Sequence, residues 1–247
     1  MIELKNVTKV YGASAHPSVD ALTLTVPAGK VYGFLGPNGA GKTTTIRMIT
    51  GALKPTSGTV LVDGIDVQKD PLAAKRRIGF VPDGQDLYDK LTGWEYLNFM
   101  ADIYGVGPER KERAERLLAS FEMKEAANNR IQSYSRGMKQ KITVIGTLIH
   151  EPDVFILDEP MVGLDPRASF LLKEEMKAQA ARGATVFFST HVLEVAEKLC
   201  DTVGIISKGR LIAEGAPEEL RKQTSDSSLE QVFLEMTEAD AALSAEK

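Results

Sequence analysis

The stretch GPNGAGKTT, Gly36 to Thr44, constrains this chain more than any other. It fits the pattern G-x-x-x-x-G-K-[ST]. The apolar run KVYGFLG leads into it, and KTTTIRMITGAL reads as the helix that follows. That strand–loop–helix context makes a glycine-rich turn a phosphate loop. Gly36, Gly39 and Gly41 let the backbone curl so that several N–H groups face one anion, with Asn38 and Ala40 completing the cradle. Lys42 supplies a point charge to the β- and γ-phosphates. Thr43 offers a hydroxyl to Mg²⁺, and Thr44 reaches the α-phosphate. The loop implies a nucleoside triphosphate and leaves GTPase, kinase and ATPase chemistry open.

A second signal is VFILDEP, Val154 to Pro160. It is an apolar strand ending in two acids. Unpaired carboxylates near a core are costly, so such an ending points to a ligand. At the carboxyl edge of a parallel sheet the two acids lie where ligands bind. Asp158 is expected to hold Mg²⁺, through water. Glu159 is expected to polarise or deprotonate an attacking water.

Around these motifs the pattern changes along the chain. IELKNV and LTLTV alternate as half-buried antiparallel strands do, GTVLVDG reads as a hairpin strand, and RIGFVP as a core strand. GWEYLNFMADIYG, PERKERAERLLASF and GMKQKITVIGTLI then read as helices with no strand among them. Strands and helices alternate again in DVFILDEP, PRASFLLKEEMKAQAARG, ATVFFST, VLEVAEKLC and TVGIISKG. Such alternation predicts a mostly parallel sheet covered by helices. Leu229, Val232, Phe233 and Met236 recur at helical spacing in the tail and predict a last helix that frays at its end.

Composition narrows the class. The chain has 247 residues, 43% hydrophobic and 26% charged, which suits a globular α/β protein with a sizeable core. Its net charge of −4 gives no overall basic footprint for nucleic acid. Cys200 is the single cysteine, so no internal disulfide forms and a reducing compartment is expected. The first residues, MIELKNVTKVYG, show no apolar signal segment, and the longest apolar runs fall far short of the roughly 20 residues that span a bilayer.

GPNGAGKTT, VPDGQDLY, YSRGMKQK, FILDEP, GLDP and STH follow one another in that order. In this order they resemble the nucleotide-binding subunit of an ABC transporter, of the exporter type with separate membrane subunits. The resemblance runs from Ile2 to about Leu234. It implies a phosphate-loop NTPase of RecA-like α/β fold, with a mostly parallel core, an N-terminal antiparallel β subdomain and an inserted α-helical subdomain. Residues 1–247 then form a single ATPase domain. Residues 1–87 and 151–223 are its nucleotide-binding core, 88–150 its helical subdomain and 224–247 a C-terminal helical tail.

The resemblance also assigns roles. Two copies are expected to sandwich two ATP molecules with Mg²⁺. Ser135 and Gly137 match the signature positions that reach the γ-phosphate on the other copy, with Tyr134, Arg136 and Met138 as departures from the usual pattern. Asp165, in GLDP, is expected to cross the same interface, with Met161 and Val162 where Thr and Ser are usual. A lone His after a buried strand is ordinarily a capping or packed residue, but His191 matches the switch His that contacts the γ-phosphate and orients the water. Tyr11 matches the aromatic that stacks on adenine. Asp83 stands where a Gln is usual and is a candidate for contacting Mg²⁺ or the water, with Gln85 as the alternative. His150 is read as a helix-end residue and His16 as a surface one. Leu87, Tyr88, Trp94 and Tyr96 match the region that receives a helix from the membrane subunit, unless Trp94 and Tyr96 are simply core.

The expected activity is therefore ATP hydrolysis. The expected partners are a second ATPase subunit, identical or related, and integral membrane permease subunits, at the cytoplasmic face of the cell membrane. The alternative, a soluble ABC ATPase acting on nucleic acid or ribosomes, calls for tandem cassettes, long coiled coils or basic arms, and a non-catalytic role is disfavoured by intact Lys42, Asp158, Glu159 and His191. No nucleic acid partner is expected.

Overall fold

The computed structural model describes residues 1–12, 16–84, 86–222 and 228–245. The chain begins with β1 (Ile2–Lys9) and β2 (Val19–Val26), followed by β3 (Val31–Leu35), α1 (Lys42–Ile49), β4 (Ser57–Val62) and β5 (Ile65–Asp66). Next come α2 (Pro71–Arg77), β6 (Ile78–Val81), α3 (Gly93–Tyr104), α4 (Arg110–Ser120) and α5 (Arg136–Leu148). The remainder is β7 (Val154–Asp158), α6 (Pro166–Ala181), β8 (Thr185–Thr190), α7 (Leu193–Leu199), β9 (Thr202–Ser207), β10 (Arg210–Gly215), α8 (Pro217–Arg221) and α9 (Leu229–Ala245).

The strands form two sheets. The first is antiparallel, in the order β2-β1-β4-β5. The second runs β10-β9-β3-β8-β7-β6 and is parallel except for its edge strand β10. The two kinds of strand differ for a physical reason. β3, β7 and β8 are buried at every residue and read as near-continuous apolar runs, as parallel strands covered on both faces do. In β2 the burial alternates from Leu22 to Val26, because only one face meets the core. The α/β fold expected from the sequence is the one observed.

Register fixes where the site lies. Leu35 at the end of β3 pairs with Thr190 at the end of β8, and Asp158 at the end of β7 pairs with Ser189. All three strands therefore finish at one edge, and the loops beyond them share it.

The helical block leaves from β6 and returns to β7, its parallel neighbour. Tyr96, Leu97, Ala101, Leu117, Leu118, Ile142 and Ile145 form part of its core. Thr92 opens α3 with a full capping box, its hydroxyl accepting the Glu95 N–H while the Glu95 carboxylate accepts the Thr92 N–H. In the tail, Leu229 and Val232 are buried, with Phe233 and Met236 packed beside them.

Candidate functional site

The phosphate loop joins β3 to α1, and its glycines are required by contact as much as by conformation. A methyl group on Gly36 would lie 2.5 Å from the Ile206 carbonyl oxygen, and one on Gly41 equally close to that of Ser18. Gly41 also has φ +108°, a region that disfavours side chains. Lys42 opens α1 and is only 7% exposed. Its ammonium donates to the Gly36 carbonyl at 2.6 Å and lies 3.5 Å from Oε1 of Glu159.

An open cleft lies above this loop, lined by Ser18, Pro37 through Thr44, Asp83 and Glu159. Asp83, two residues past the end of β6, is exposed there, and Gln85 lies outside the described residues. Thr43 turns an exposed hydroxyl-bearing side chain outward from the first turn of α1. Tyr11 is 43% exposed, with its hydroxyl 3.5 Å from the Thr44 hydroxyl and the Lys9 ammonium 5.4 Å from its ring centre.

Asp158 and Glu159 differ sharply in setting. Asp158 is 4% exposed and accepts a hydrogen bond from the Ser189 hydroxyl at 2.5 Å. Among the described residues no cation pairs with it. A buried carboxylate with no counter-charge is costly, which fits a divalent cation at this position. Glu159 sits just past the strand at φ +47°, outside the region its residue type prefers. Its N–H donates to the Ser189 hydroxyl at 3.0 Å, and its Oε2 lies 2.9 Å from Nδ1 of His191. An ionised carboxylate only accepts, so Nδ1 is the protonated nitrogen of that pair.

Ser189 therefore holds both acids, through its oxygen and its proton. The sequence alone does not mark it, because a small polar residue inside a buried strand carries no motif. Its signal is the position two residues before His191 and directly across from Asp158 in the parallel register.

Other expected residues lie elsewhere. Ser135 and Gly137 are not in the cleft. Ser135 caps α5 by accepting the Met138 N–H at 3.2 Å, and Gly137 occupies the first turn. Asp165 caps α6 by accepting the Ala168 N–H at 2.8 Å. Tyr96, expected beside a partner groove, is 5% exposed and belongs to the core, while Trp94 is half-buried against it. Beside them Tyr88 and Phe99 are exposed, and they meet edge to face with ring centres 5.2 Å apart.

A phosphate loop at the carboxyl edge of a parallel sheet, with a buried acid and a glutamate–histidine pair on the adjoining strands, defines a phosphate-loop nucleoside triphosphatase. Comparison with known proteins narrows the class. The family model described as "ABC transporter" matches residues 19–162, more than half of the chain. The ABC transporter ATP-binding protein NatA of Bacillus subtilis is 39% identical over 88% of this chain and 89% of its own length. The daunorubicin/doxorubicin resistance ATP-binding protein DrrA of Streptomyces peucetius is 39% identical over 92% of this chain and 69% of its own. A solved structure of an ATP-binding subunit of an ABC transporter superposes with a TM-score of 0.91 at 34% identity, covering 96% of this chain and 99% of that one. The cassette MJ0796, solved as a dimer in a post-hydrolysis state with ADP and Pi, has a TM-score of 0.80 at 28% identity, covering 87% and 98%. The chain belongs to the ABC transporter family, as one of its ATP-binding, ATP-hydrolysing subunits.

Proposed function

We propose that this chain is the motor of an exporter-type transporter. Two cassettes close on two ATP molecules, and the closure is passed to membrane subunits. The observation that carries the catalytic reading is the run of contacts Lys42–Glu159–His191 at the mouth of the phosphate loop. The names of similar proteins, a drug-resistance protein and Nod factor export proteins among them, support the exporter direction.

In this reading residues 1–87 and 151–223 bind nucleotide, 88–150 form the helical subdomain and 224–247 the tail, of which 224–227, 246 and 247 lie outside the described residues. The loop amides from Gly36 to Thr44 hold the phosphates, and Tyr11 offers its ring to the adenine. Lys42 exchanges its loop carbonyl and Glu159 for the γ-phosphate. Glu159 then takes a proton from the attacking water. The water oxygen forms the new bond to phosphorus as the bond to the ADP oxygen breaks. His191, held through Nδ1, orients Glu159 and faces the γ-phosphate. Thr43, Asp158 and Asp83 would hold Mg²⁺, with Asp158 fixed by Ser189. Mg²⁺ when bound neutralises charge developing on the phosphate oxygens. Ser135, Gly137 and Asp165 serve the nucleotide of the second copy.

The membrane partner is assigned to the surface around Tyr88, Phe99 and Ile103, all exposed, with Phe99 and Ile103 one turn apart on α3. Aromatic side chains of this kind suit an interface core. No helix among the described residues is long and apolar enough to cross a membrane. We place the chain at the cytoplasmic face through its partner. Phosphate release from ATP by the purified chain tests the catalytic reading. Activity is expected with Mg²⁺ and is lost in Lys42→Ala. Turnover equal to the parent in that variant contradicts it.

A further inference from the structure

The Arg136 side chain is used inside its own chain. It opens α5 and lies across Gly163, in the turn between β7 and α6. A methyl group on Gly163 would come 2.7 Å from Nε of Arg136, 2.8 Å from Cζ and 3.1 Å from Cδ. Gly163, at φ +78°, thus leaves to the guanidinium the space a side chain would take. Among the described residues the guanidinium makes no hydrogen bond and no ion pair, so the contact is one of packing. The turn also approaches α5 a second time, because Oδ2 of Asp165 lies 4.0 Å from where a methyl on Gly137 would stand.

The same turn hangs from Glu159. The Val162 N–H donates to the Glu159 carbonyl at 3.2 Å, and the Leu164 N–H to that of Met161 at 3.3 Å. Gly163 thus sits between two peptides that are tied back to Glu159 and Met161.

We propose that Arg136 is a positioning residue: its guanidinium packs on Gly163 and holds the turn from Glu159 to Asp165 against the first turn of α5. The inference rests on the reading of Glu159 as the base, and it deepens the dimer reading. The strut keeps Ser135, Gly137 and Asp165 as one surface toward the second copy. A positive charge at a helix N-terminus opposes the helix dipole, so its place at the start of α5 is not explained by helix stability. The packed stem and guanidinium plane explain it.

The test is a set of purified variants assayed for kcat and KM with ATP, each checked for an unchanged melting temperature. Arg136→Ala is expected to lower kcat about tenfold, the scale that about 1.4 kcal/mol of lost positioning gives, with KM changed less than twofold. Arg136→Met keeps a long packing side chain without charge and is expected to stay within about threefold of the parent in kcat. Gly163→Ala alone is expected to lower kcat, and its effect is expected to shrink to the part set by backbone strain at φ +78° when Arg136 is also Ala, because the contested space is then empty. A Met variant as inactive as Ala with Lys active assigns the arginine to phosphate charge and overturns the proposal. So does an Arg136→Ala variant with parental kcat, or a Gly163→Ala effect that is the same with and without Arg136. The dimer reading is judged separately, by sizing Glu159→Gln with Arg136 intact.

Discussion

Lys42 and Glu159 face each other across the phosphate loop, with Nζ 3.5 Å from Oε1. The cation meant for phosphate is thus held by the carboxylate meant for water. Binding of a γ-phosphate has to part them, which ties release of the base to arrival of the substrate. Glu159→Gln is expected to cut turnover by about two to four orders of magnitude, the usual worth of a positioned base. ATP binding is expected to be at least as tight, because an amide competes less for the ammonium. Fluorescent-nucleotide titration beside a phosphate-release assay checks both halves.

Ser189 is expected to matter beyond its size. Ser189→Ala leaves buried Asp158 without its hydrogen bond, a cost of about 1–3 kcal/mol in stability. It also frees the acid to turn, so the Mg²⁺ concentration needed for half-maximal activity is expected to rise. Urea unfolding and a Mg²⁺ titration measure the two effects independently. Ser189→Thr retains the hydroxyl and is expected to recover part of the metal response.

His150 gives the chain a specific acid sensitivity. It stacks on Tyr104 with ring centres 3.6 Å apart, its Nε2 lies 3.3 Å from the Ile78 carbonyl, and its Nδ1 is buried with no hydrogen-bond partner among the described residues. Burial is the first cause that lowers its pKa to about 4, with Arg182 and Arg113 adding to it and the Ile78 carbonyl and Asp153 opposing. The unfolded chain takes up this proton near pH 6.5, and the folded chain only near 4. Stability therefore falls as pH drops through that window, by at most about 1.4 kcal/mol per pH unit from this group. His150→Phe keeps the stack and is expected to flatten the difference between unfolding at pH 5 and at pH 7.

How much of this was legible in the sequence depended on range. The phosphate loop is local: Gly36 to Thr44 sit between a strand and a helix that neighbouring residues specify. Asp158 and Glu159 were visible for the same reason, as acids closing an apolar strand. The short α2 and the edge strand β10 are not marked in the sequence. α2 is seven residues long with only Ala74 buried, and β10 has no residue fully buried, so neither carries a clear apolar period. In α3 the difficulty was the reverse. Trp94, Tyr96, Leu97, Phe99, Met100 and Ile103 put apolar groups all round the helix. Only the packing of α5 and α4 decides that Tyr96 goes inward and Phe99 stays out. Ser189 on Asp158 and Arg136 on Gly163 join residues 31 and 27 positions apart, and no local pattern announces such contacts.

Tyr11 gives a test confined to binding. If its ring takes the adenine, Tyr11→Ala raises the dissociation constant for ATP by about 5- to 150-fold, the range of one base–aromatic stack, and leaves turnover at saturation near the parent's. Tyr11→Phe separates the ring from the hydroxyl that faces Thr44, and is expected to bind as the parent does.

In the proposed mechanism the cleft around Lys42 and Glu159 is completed by a second copy of the chain or a related one. Sizing of Glu159→Gln by light scattering, with and without ATP and Mg²⁺, tests it most directly. A shift from one chain to two on adding ATP, absent when Lys42→Ala is combined with it, is the predicted result. A single chain in both conditions, with ATP bound, contradicts the two-copy closure.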